Sequence, residues 1–328
     1  MARSTDEFRL IDNYFKGLTS QSQVEVGIGD DAAIINSSGD YQTVVASDTL
    51  VESVHFPASA QAEQIASRAL CVNLSDMAAM GAEPKWFTLA LTLPSEKTTD
   101  SWLQGFSRGL AKIAKQFDIA LIGGDTTAGP LTISITVLGE VPKGQALVRS
   151  GAEVGDNIYV SGNLGDGAAA LHSIINEAHI GSDSGSRLLE RFYCPQPQIE
   201  LGIGLRDYAS ACIDISDGLI ADLGHICKAS SISAEIESHR LPIDIEVKQQ
   251  FKQQGLQWAI SGGDDYQLCF TVTACRHKEF EQWAAACKLA VTRIGNMVAM
   301  EDNQSTVRLD GQTISLSTGG YNHFANNT

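Results

Sequence analysis

The chain has 328 residues, of which 43% are hydrophobic, and it carries a net charge of −16 with a pI of about 4.7. This length and hydrophobic content predict two domains with real cores and exclude wholesale disorder. The acidic balance argues against a general binder of nucleic acid or anionic membranes, although an anionic substrate can still bind together with cations.

The N-terminal residues and the cysteine pattern indicate in which cellular compartment the protein works. Residues 1–10 are polar and charged, and no stretch reaches the roughly 18 apolar residues of a membrane span, so we expect neither a signal peptide nor a membrane partner. The seven cysteines are scattered and form no C-x-x-C pair. This pattern is typical of free thiols in a reducing compartment, and we expect a cytoplasmic protein.

The first half of the chain alternates helical and strand periodicity. Helical spacing of apolar residues predicts helices over 7–15, 61–80 and 102–117. Apolar and β-branched runs predict strands over 43–46, 86–93, 119–122 and 131–141. We expect the strand at 119–122 to end in a turn at Gly123 and Gly124.

A connector punctuated by glycine and proline follows at 142–151, and we place the domain boundary there, between residues 1–148 and 149–328. In the second half, strands are predicted over 157–160, 234–236, 267–272, 294–298 and 307–309. Helices are predicted over 167–178, 199–208, 219–226, 247–254 and 278–287. The mixed order predicts the α+β class, with two α/β-layered domains.

Nine aspartates lie at or near the ends of apolar runs, where an isolated ionised carboxylate is costly to bury. They are Asp30, Asp31, Asp48, Asp76, Asp125, Asp214, Asp217, Asp264 and Asp265. Helix caps and turns explain several of them. They do not explain Asp76, which lies within a helical pattern, or both members of the pair at 30–31. Because few lysines or arginines flank the set, divalent cations are the economical counter-ions.

An oxygen-only ligand set without histidine or cysteine clusters favours Mg²⁺, Mn²⁺ or Ca²⁺ over tetrahedral zinc, and the lack of an EF-hand spacing disfavours Ca²⁺. Mg²⁺ commonly bridges carboxylates to phosphate oxygens, which indicates phosphoryl transfer. The chain has no P-loop, no protein-kinase signature and no complete G-x-G-x-x-G. The residues alone therefore predict a metal-dependent enzyme that uses a nucleotide.

Nine short stretches follow one another across nearly the whole chain: GIGDDAA (27–33), SDTLVESVHF (47–56), NLSDMAAMGAEP (73–84), GGDTT (123–127), VRSGAEVGD (148–156), SGNLGDGAAAL (161–171), IDISDGL (213–219), SGGDDYQL (261–268) and GGYNHF (319–324). Each is weak alone. In this order they resemble the thiamine-monophosphate kinase family, in the aminoimidazole-ribonucleotide-synthetase-like superfamily.

The resemblance implies ATP-dependent phosphorylation of thiamine monophosphate to thiamine diphosphate, in one direct transfer assisted by several Mg²⁺ ions, as a step of thiamine diphosphate biosynthesis. It also implies a homodimer. The N-terminal domain would bind ATP and Mg²⁺ and contribute to an intersubunit β-barrel, with a C-terminal α+β domain beside it. Nucleic acid and membrane are not expected partners.

The resemblance also implies roles for individual residues. The implied metal ligands are Asp30, Ser47, Asp48, Asp76, Asp125, Asp214 and Asp217. The implied ATP contacts are Gly124, Asp125, Arg149 and Ser216, and the implied substrate contacts are His55, Asp264, Asp265 and Tyr321. No catalytic base and no phosphoenzyme are expected, because the acceptor is already an ionised phosphate oxygen.

The chain departs from the family at one motif. The family commonly has Gly-Gly-Glu-Asp-Tyr-Glu-Leu, whereas this chain has Asp264 and Gln267. Aspartate reaches about one methylene less far than glutamate, so Asp265 is a competing candidate for the substrate contact.

Two alternative functions remain open. One is a related ATP-dependent synthetase that closes a ring or makes selenophosphate; the selenide enzyme would need a reactive cysteine near the N-terminus, and the first cysteine here is Cys71. The other is a regulator that binds metal or nucleotide without catalysis, which dense aspartates without a general base would also fit.

Overall fold

The computed structural model describes residues 24–36, 39–176, 182–302 and 304–314. The predicted helix at 7–15 and the predicted substrate contact Tyr321 lie outside these residues. Within the described segments, no helix is both long enough and apolar enough to cross a membrane.

A sheet of six strands forms the N-terminal half, in the order β1-β2-β3-β6-β4-β5. The strands are β1 Val24–Val26, β2 Ala33–Asn36, β3 Tyr41–Val51, β4 Glu83–Leu93, β5 Ala120–Ala128 and β6 Thr132–Pro142. All neighbours are antiparallel except β4 and β5, which are parallel. Strand β6 alternates buried and half-buried side chains along its length, because one face of the sheet covers the core.

A second sheet of seven strands forms the C-terminal half, in the order β13-β12-β9-β11-β7-β10-β8. The strands are β7 Asn157–Ser161, β8 Ala209–Ile215, β9 Ser233–Ile236, β10 Gln267–Val272, β11 Val291–Val298, β12 Val307–Leu309 and β13 Gln312–Ile314. The central strands β7 and β10 are buried at every residue. Their apolar cores, residues 158–160 and 268–270, fit strands covered on both faces.

Helices cover the sheets. They are α1 Ala62–Ala79, α2 Asp100–Gln116, α3 Asp166–Asn176, α4 Ser182–Tyr193, α5 Ile199–Leu205, α6 Leu219–Ser230, α7 Ile245–Phe251, α8 Gln253–Ser261 and α9 His277–Ala286. Short 3₁₀ turns lie at Ser95–Lys97 and Ser238–Arg240.

Helix α1 lies between the two halves. It starts with a capping box in which the Gln61 amide donates to Oε1 of Gln64 at 2.9 Å. It packs against α2 and α5 and also against strands of both sheets, β3 and β6 on one side and β8 and β10 on the other. Almost all of its side chains are buried for this reason. The polar residues beyond the exposed first turn of α1 are therefore enclosed by both halves of the molecule.

The structure confirms the α+β class with two layered halves, but two local predictions are wrong. Strand β5 does not turn at Gly123 and Gly124, because its backbone stays paired with β4 as far as Ala128. The segment 247–254 is not one helix: α7 and α8 are separated at Lys252, whose φ is 45°. Strands β1, β2, β8 and β13 and helix α4 were not predicted from the sequence. The boundary at 148/149 falls in the connector between β6 and β7 and stays a prediction.

We expect the contact between α1 and α2 to make Gly109→Ala destabilising. A Cβ there would lie 2.3 Å from the Glu63 carbonyl oxygen on α1, so the helices must separate, at a cost of about 1–3 kcal/mol in the free energy of unfolding. Gly105→Ala on the same helix is the control, because the nearest atom to its Cβ would be the Ala62 Cβ at 3.3 Å. Urea denaturation of both variants measures the difference. Equal stabilities would contradict the close approach at Gly109.

Candidate active site: a carboxylate cluster between the sheets

Three carboxylates from distant parts of the chain meet beside α1. Asp31 follows β1, Asp76 lies on α1 and Asp214 lies on β8, and one carboxylate oxygen from each lies within 4.8 Å of the other two. They line a cavity of about 250 Å³ whose other walls are Asp30, Ser47, Asp48, Arg149, Ser216, Asp217, Asp222 and His225. Both sheets therefore contribute acidic groups to one small volume.

Burial and mutual repulsion make four carboxylates of this cavity, those of Asp30, Asp48, Asp76 and Asp214, hard to ionise. Burial, followed by the charge of Asp31, raises the pKa of Asp214 to about 8 and that of Asp30 to about 6. Burial, reinforced by Asp48 and Asp214, raises the pKa of Asp76 well above its ordinary value. Burial also raises the pKa of Asp48. The cluster is short of positive charge.

One arginine partly compensates the cluster. Arg149 Nη2 donates to Asp31 Oδ1 at 2.6 Å, and the Arg149 amide donates to Asp30 Oδ2 at 3.0 Å. Burial, followed by the charge of Arg149, lowers the pKa of His225 to about 4, so this histidine adds no positive charge at neutral pH. Arg149 is thus the only permanently charged cation among the described residues that line the cavity.

The donor set fits a hard divalent cation. Asp31 Oδ2 is buried and makes no hydrogen bond with the described residues. Together with the nearby oxygens of Asp76 and Asp214 it offers an oxygen-only cage, which is the ligand chemistry that Mg²⁺ prefers. The sequence analysis assigned Asp30 as a ligand and left out Asp31. The sequence did contain an indication of a role for Asp31, because a helix cap or turn uses only one of two adjacent carboxylates.

Helix α1 also orients carboxylates from both sheets. The Asn73 side-chain oxygen accepts from the Asp48 amide at 3.1 Å, and Ser75 Oγ donates to Asp214 Oδ2 at 2.7 Å. Asn73 and Ser75 are fully buried. Both residues belong to the motif NLSDMAAMGAEP (73–84), in which only Asp76 was assigned a role from the sequence. Polar side chains within an otherwise apolar helical pattern could have indicated them, because a buried polar group needs a hydrogen-bond partner.

A further missed residue, Asp222, holds the loop after β8. Its Oδ2 accepts three successive backbone amides, from Ser216 at 3.1 Å, Asp217 at 3.1 Å and Gly218 at 3.0 Å. The φ of Gly218 is 120°, a conformation that favours glycine. The loop therefore presents Ser216 and Asp217 to the cavity in one fixed arrangement.

A larger cavity of about 520 Å³ leads away from the cluster on one side. It shares Ser47, Asp48, Asp76, Asp214, Ser216 and Asp217 with the cluster. Its far end is partly apolar and is lined by Thr49, Leu50, Val54, His55, Arg68, Val72, Ala168, Leu171, Gly263, Asp264 and Tyr266. The His55 ring is oriented by its Nδ1, which accepts from the Val51 amide at 2.9 Å.

The two members of the acidic pair at 264–265 have different positions. Asp264 lines the 520 Å³ cavity. Asp265 is buried, and its carboxylate accepts from the amides of Gly165 at 2.7 Å and Gly167 at 3.1 Å, at the start of α3. Asp265 therefore caps a helix and lies away from the 520 Å³ cavity, bordering a separate cavity of about 200 Å³ whose wall also includes Asp264. Of the two candidates, the geometry favours Asp264 as a contact for a ligand in the larger cavity.

A third cavity of about 600 Å³ opens on the other side of the cluster. Its walls are Gly27, Ile28, Gly29, Asp30, Asp31, Ala32, Ala33, Val45, Ala46, Ser47, Arg149, His225, Lys228 and Ala229. The walls are largely apolar, with Lys228 as an additional cation. Two ligands could thus approach the carboxylates from opposite sides.

Gly124 and Asp125 are not brought to the cluster. Gly124 pairs with Leu89 on β4, Leu89 with Ile135 on β6, and Ile135 with Asp48 on β3. Three strand spacings separate β5 from β3, or about 14 Å, which is too far for a shared metal ion. Within one chain, Asp125 lies on an exposed edge strand outside the site.

Family models match most of the chain. Residues 29–141 match the model described as AIR synthase related protein, N-terminal domain, and residues 153–308 match AIR synthase related protein, C-terminal domain. The chain is 43% identical over 322 residues to the thiamine-monophosphate kinase of Escherichia coli strain K12, covering 97% of this chain and 98% of the relative.

Solved structures share the fold over nearly the full length. The crystal structure of thiamine-monophosphate kinase from Stenotrophomonas maltophilia K279a is 42% identical, with a TM-score of 0.79, and the match covers 94% of this chain and 98% of that one. A structure described as AaThiL complexed with AMPPCP and TMP is 32% identical, with a TM-score of 0.85 and 97% coverage of both chains.

We expect the raised pKa of Asp214 to make the cation-free protein less stable as the pH rises. An aspartate whose pKa is raised by folding stabilises fully below its ordinary pKa of 3.8 and loses that contribution as the pH passes its folded value of about 8. Asp214→Asn should lessen this loss by on the order of 1–3 kcal/mol.

Urea denaturation in excess chelator across this pH range measures the effect. Asp118→Asn is the control, because Asp118 is exposed and its φ of 52° suits asparagine. If the free energy of unfolding changes with pH in the same way in the wild type and in Asp214→Asn, then Asp214 is not the source of the pH dependence.

Proposed function

The chain belongs to the thiamine-monophosphate kinase family of AIR synthase related proteins, and from its relatives and its site we infer what it does. It phosphorylates thiamine monophosphate with ATP, forming thiamine diphosphate and ADP. The observation that carries this function is the pair of cavities that meet at one carboxylate cluster. A donor and an acceptor can be held there on opposite sides of the same charged centre, as the structural relative with bound AMPPCP and TMP also suggests.

We assign the two cavities by their chemistry. The 520 Å³ cavity suits thiamine monophosphate, because its far end combines apolar walls with the Asp264 carboxylate, which can face the cationic part of thiamine. The 600 Å³ cavity suits the nucleoside of ATP, because it is largely apolar and carries Lys228 near its rim. The phosphates of both ligands then converge on the cluster, with Arg149 and Ser216 beside them.

We propose that the cluster holds Mg²⁺. Asp31, Asp76 and Asp214 form its centre, and the remaining predicted ligands nearby are Asp30, Ser47, Asp48 and Asp217. When bound, the ions screen the repulsion among the phosphate groups and the carboxylates. The protein supplies alignment: Asn73, Ser75 and Asp222 fix the ligand-bearing segments. No side chain has to remove a proton from the acceptor phosphate.

We further propose a homodimer joined along the first sheet. Every residue of β5 is exposed, including Leu121 at 51% and Ile122 at 57%, and β5 is an edge of the sheet as described here. An apolar edge strand of this kind invites pairing with another chain. A second copy would cover β5, could complete the intersubunit barrel, and would place Asp125 of the partner subunit near the other site.

The compartment is the remaining proposal. All seven cysteines are free and five of them are buried, which fits a reducing environment such as the cytoplasm.

An assay with ATP, Mg²⁺ and thiamine monophosphate tests the function. We expect thiamine diphosphate and ADP in equal amounts, and no product in excess chelator. Asp48→Asn and Asp76→Asn should each reduce turnover by roughly 100-fold or more, because a ligand charge is lost, while circular dichroism shows an intact fold. Nucleotide binding without any turnover would instead indicate a regulator, and wild-type activity in either variant would contradict its role as a ligand.

Mixed dimers test whether Asp125 acts across the subunit interface. We expect Asp48→Asn and Asp125→Asn to be inactive alone. When the two are co-expressed, one site of each mixed dimer combines an intact Asp48 with an intact Asp125, so about one quarter of all sites should be active. Activity that stays absent in the mixture would place Asp125 in its own subunit's site, whereas full activity of Asp125→Asn alone would place Asp125 outside the reaction.

A further inference from the structure

We propose that Arg68 is a positioning residue for the substrate, which it serves by holding Asp264 and His55 in the 520 Å³ cavity. This inference rests on the proposed function, because it assigns that cavity to thiamine monophosphate. None of the nine motif stretches includes Arg68, and the sequence analysis assigned it no role. Its side chain is nevertheless the largest that the structure buries almost completely, with 2% exposed.

The Arg68 guanidinium is committed to protein acceptors from three separate segments. Nε donates to the His55 carbonyl at 3.0 Å, Nη1 donates to the Phe192 carbonyl at 2.7 Å, and Nη2 donates to Asp264 Oδ1. The guanidinium also lies 4.2 Å above the centre of the Phe192 ring. A planar fork with several donors suits this task, and lysine could not satisfy all three acceptors.

The loop that carries Asp264 needs such a support. Asp264 and Tyr266 have φ values of 70° and 48°, which lie in the left-handed region that side chains other than glycine rarely adopt. The Asp264 amide donates to the Ser216 carbonyl at 2.9 Å, so the same loop also touches the segment beside the carboxylate cluster. Movement of Asp264 would therefore disturb the substrate cavity at its end and at its junction with the cluster.

The ion pair leaves one carboxylate oxygen for a ligand. Asp264 Oδ1 accepts from Arg68 and also lies 3.3 Å from the Tyr266 hydroxyl. Asp264 Oδ2 makes no hydrogen bond with the described residues, and Asp264 lines the cavity with 26% of its side chain exposed. Arg68 thus fixes the direction of the free oxygen, which can accept from an amino group or face a cationic ring of the substrate.

The Arg68–Asp264 pair also compensates for the shorter side chain in this chain. Where the family commonly has glutamate, Asp264 reaches about one methylene less far. A contact to substrate then depends on how accurately the backbone and the carboxylate are placed. The ion pair supplies that placement, since a hydrogen-bonded charge pair anchored by a fully buried arginine tolerates little movement.

A double-mutant cycle tests the proposal. We expect Arg68→Gln to raise the KM for thiamine monophosphate about tenfold or more, with the KM for ATP changed less than about twofold. Asp264→Asn should have a similar effect, and the double variant should be no worse than Asp264→Asn alone. Arg68→Lys should be intermediate. Arg108→Gln, which removes an exposed arginine paired with Glu63 on the protein surface, is the control.

Each other outcome overturns a specific claim. Multiplicative effects in the double variant would show that Arg68 contacts the substrate itself. Parallel rises in both KM values together with a lower Tm would show a scaffold role without substrate positioning. If Arg68→Gln does not fold, the cycle is run with Arg68→Lys, which keeps the charge. Failure of the wild type to bind or phosphorylate thiamine monophosphate would overturn the proposed function and this inference with it.

Discussion

The enclosure of helix α1 between two sheets is the constraint on which the site depends. Because α1 touches β3 and β6 on one side and β8 on the other, a polar residue on it can reach carboxylates of both halves. Within about one helical turn, Asn73 accepts from the Asp48 backbone amide, Ser75 donates to the Asp214 carboxylate, and Asp76 lies beside Asp214 and Asp31. The same enclosure removes water, so the carboxylates repel one another strongly and need a cation. The site is complete only where both halves pack against α1.

This arrangement suits a reaction that depends on alignment. Two cavities approach the cluster from opposite sides, and both share Ser47 with it. The loop residues that face the cluster are held by buried hydrogen bonds, as the three amides on Asp222 illustrate. A site of this kind can lower a reaction barrier by fixing charged groups in place before the reaction.

Supporting residues are as informative as the cluster itself. Asp265 looked equivalent to Asp264, yet it caps α3 and leaves Asp264 to face the cavity. Arg68 and Arg149 are both largely buried arginines beside aspartates, but Arg149 pairs with Asp31 in the cluster while Arg68 pairs with Asp264 at the far end of the 520 Å³ cavity. Adjacent or similar residues therefore have different tasks, which depend on what each one contacts.

The amino-acid sequence by itself determined the order of most helices and strands, since apolar periodicity reflects which local face is buried. It also contained more aspartates at the ends of apolar runs than helix caps explain, which indicated a metal-dependent reaction. The order of its motifs indicated the family. Tertiary structure alone decided that Asp31 joins Asp76 and Asp214, that Asp265 is a cap, and that Asp125 is remote from the cluster of its own chain. Those outcomes depend on contacts between residues far apart in the chain, and local patterns contain no record of such contacts.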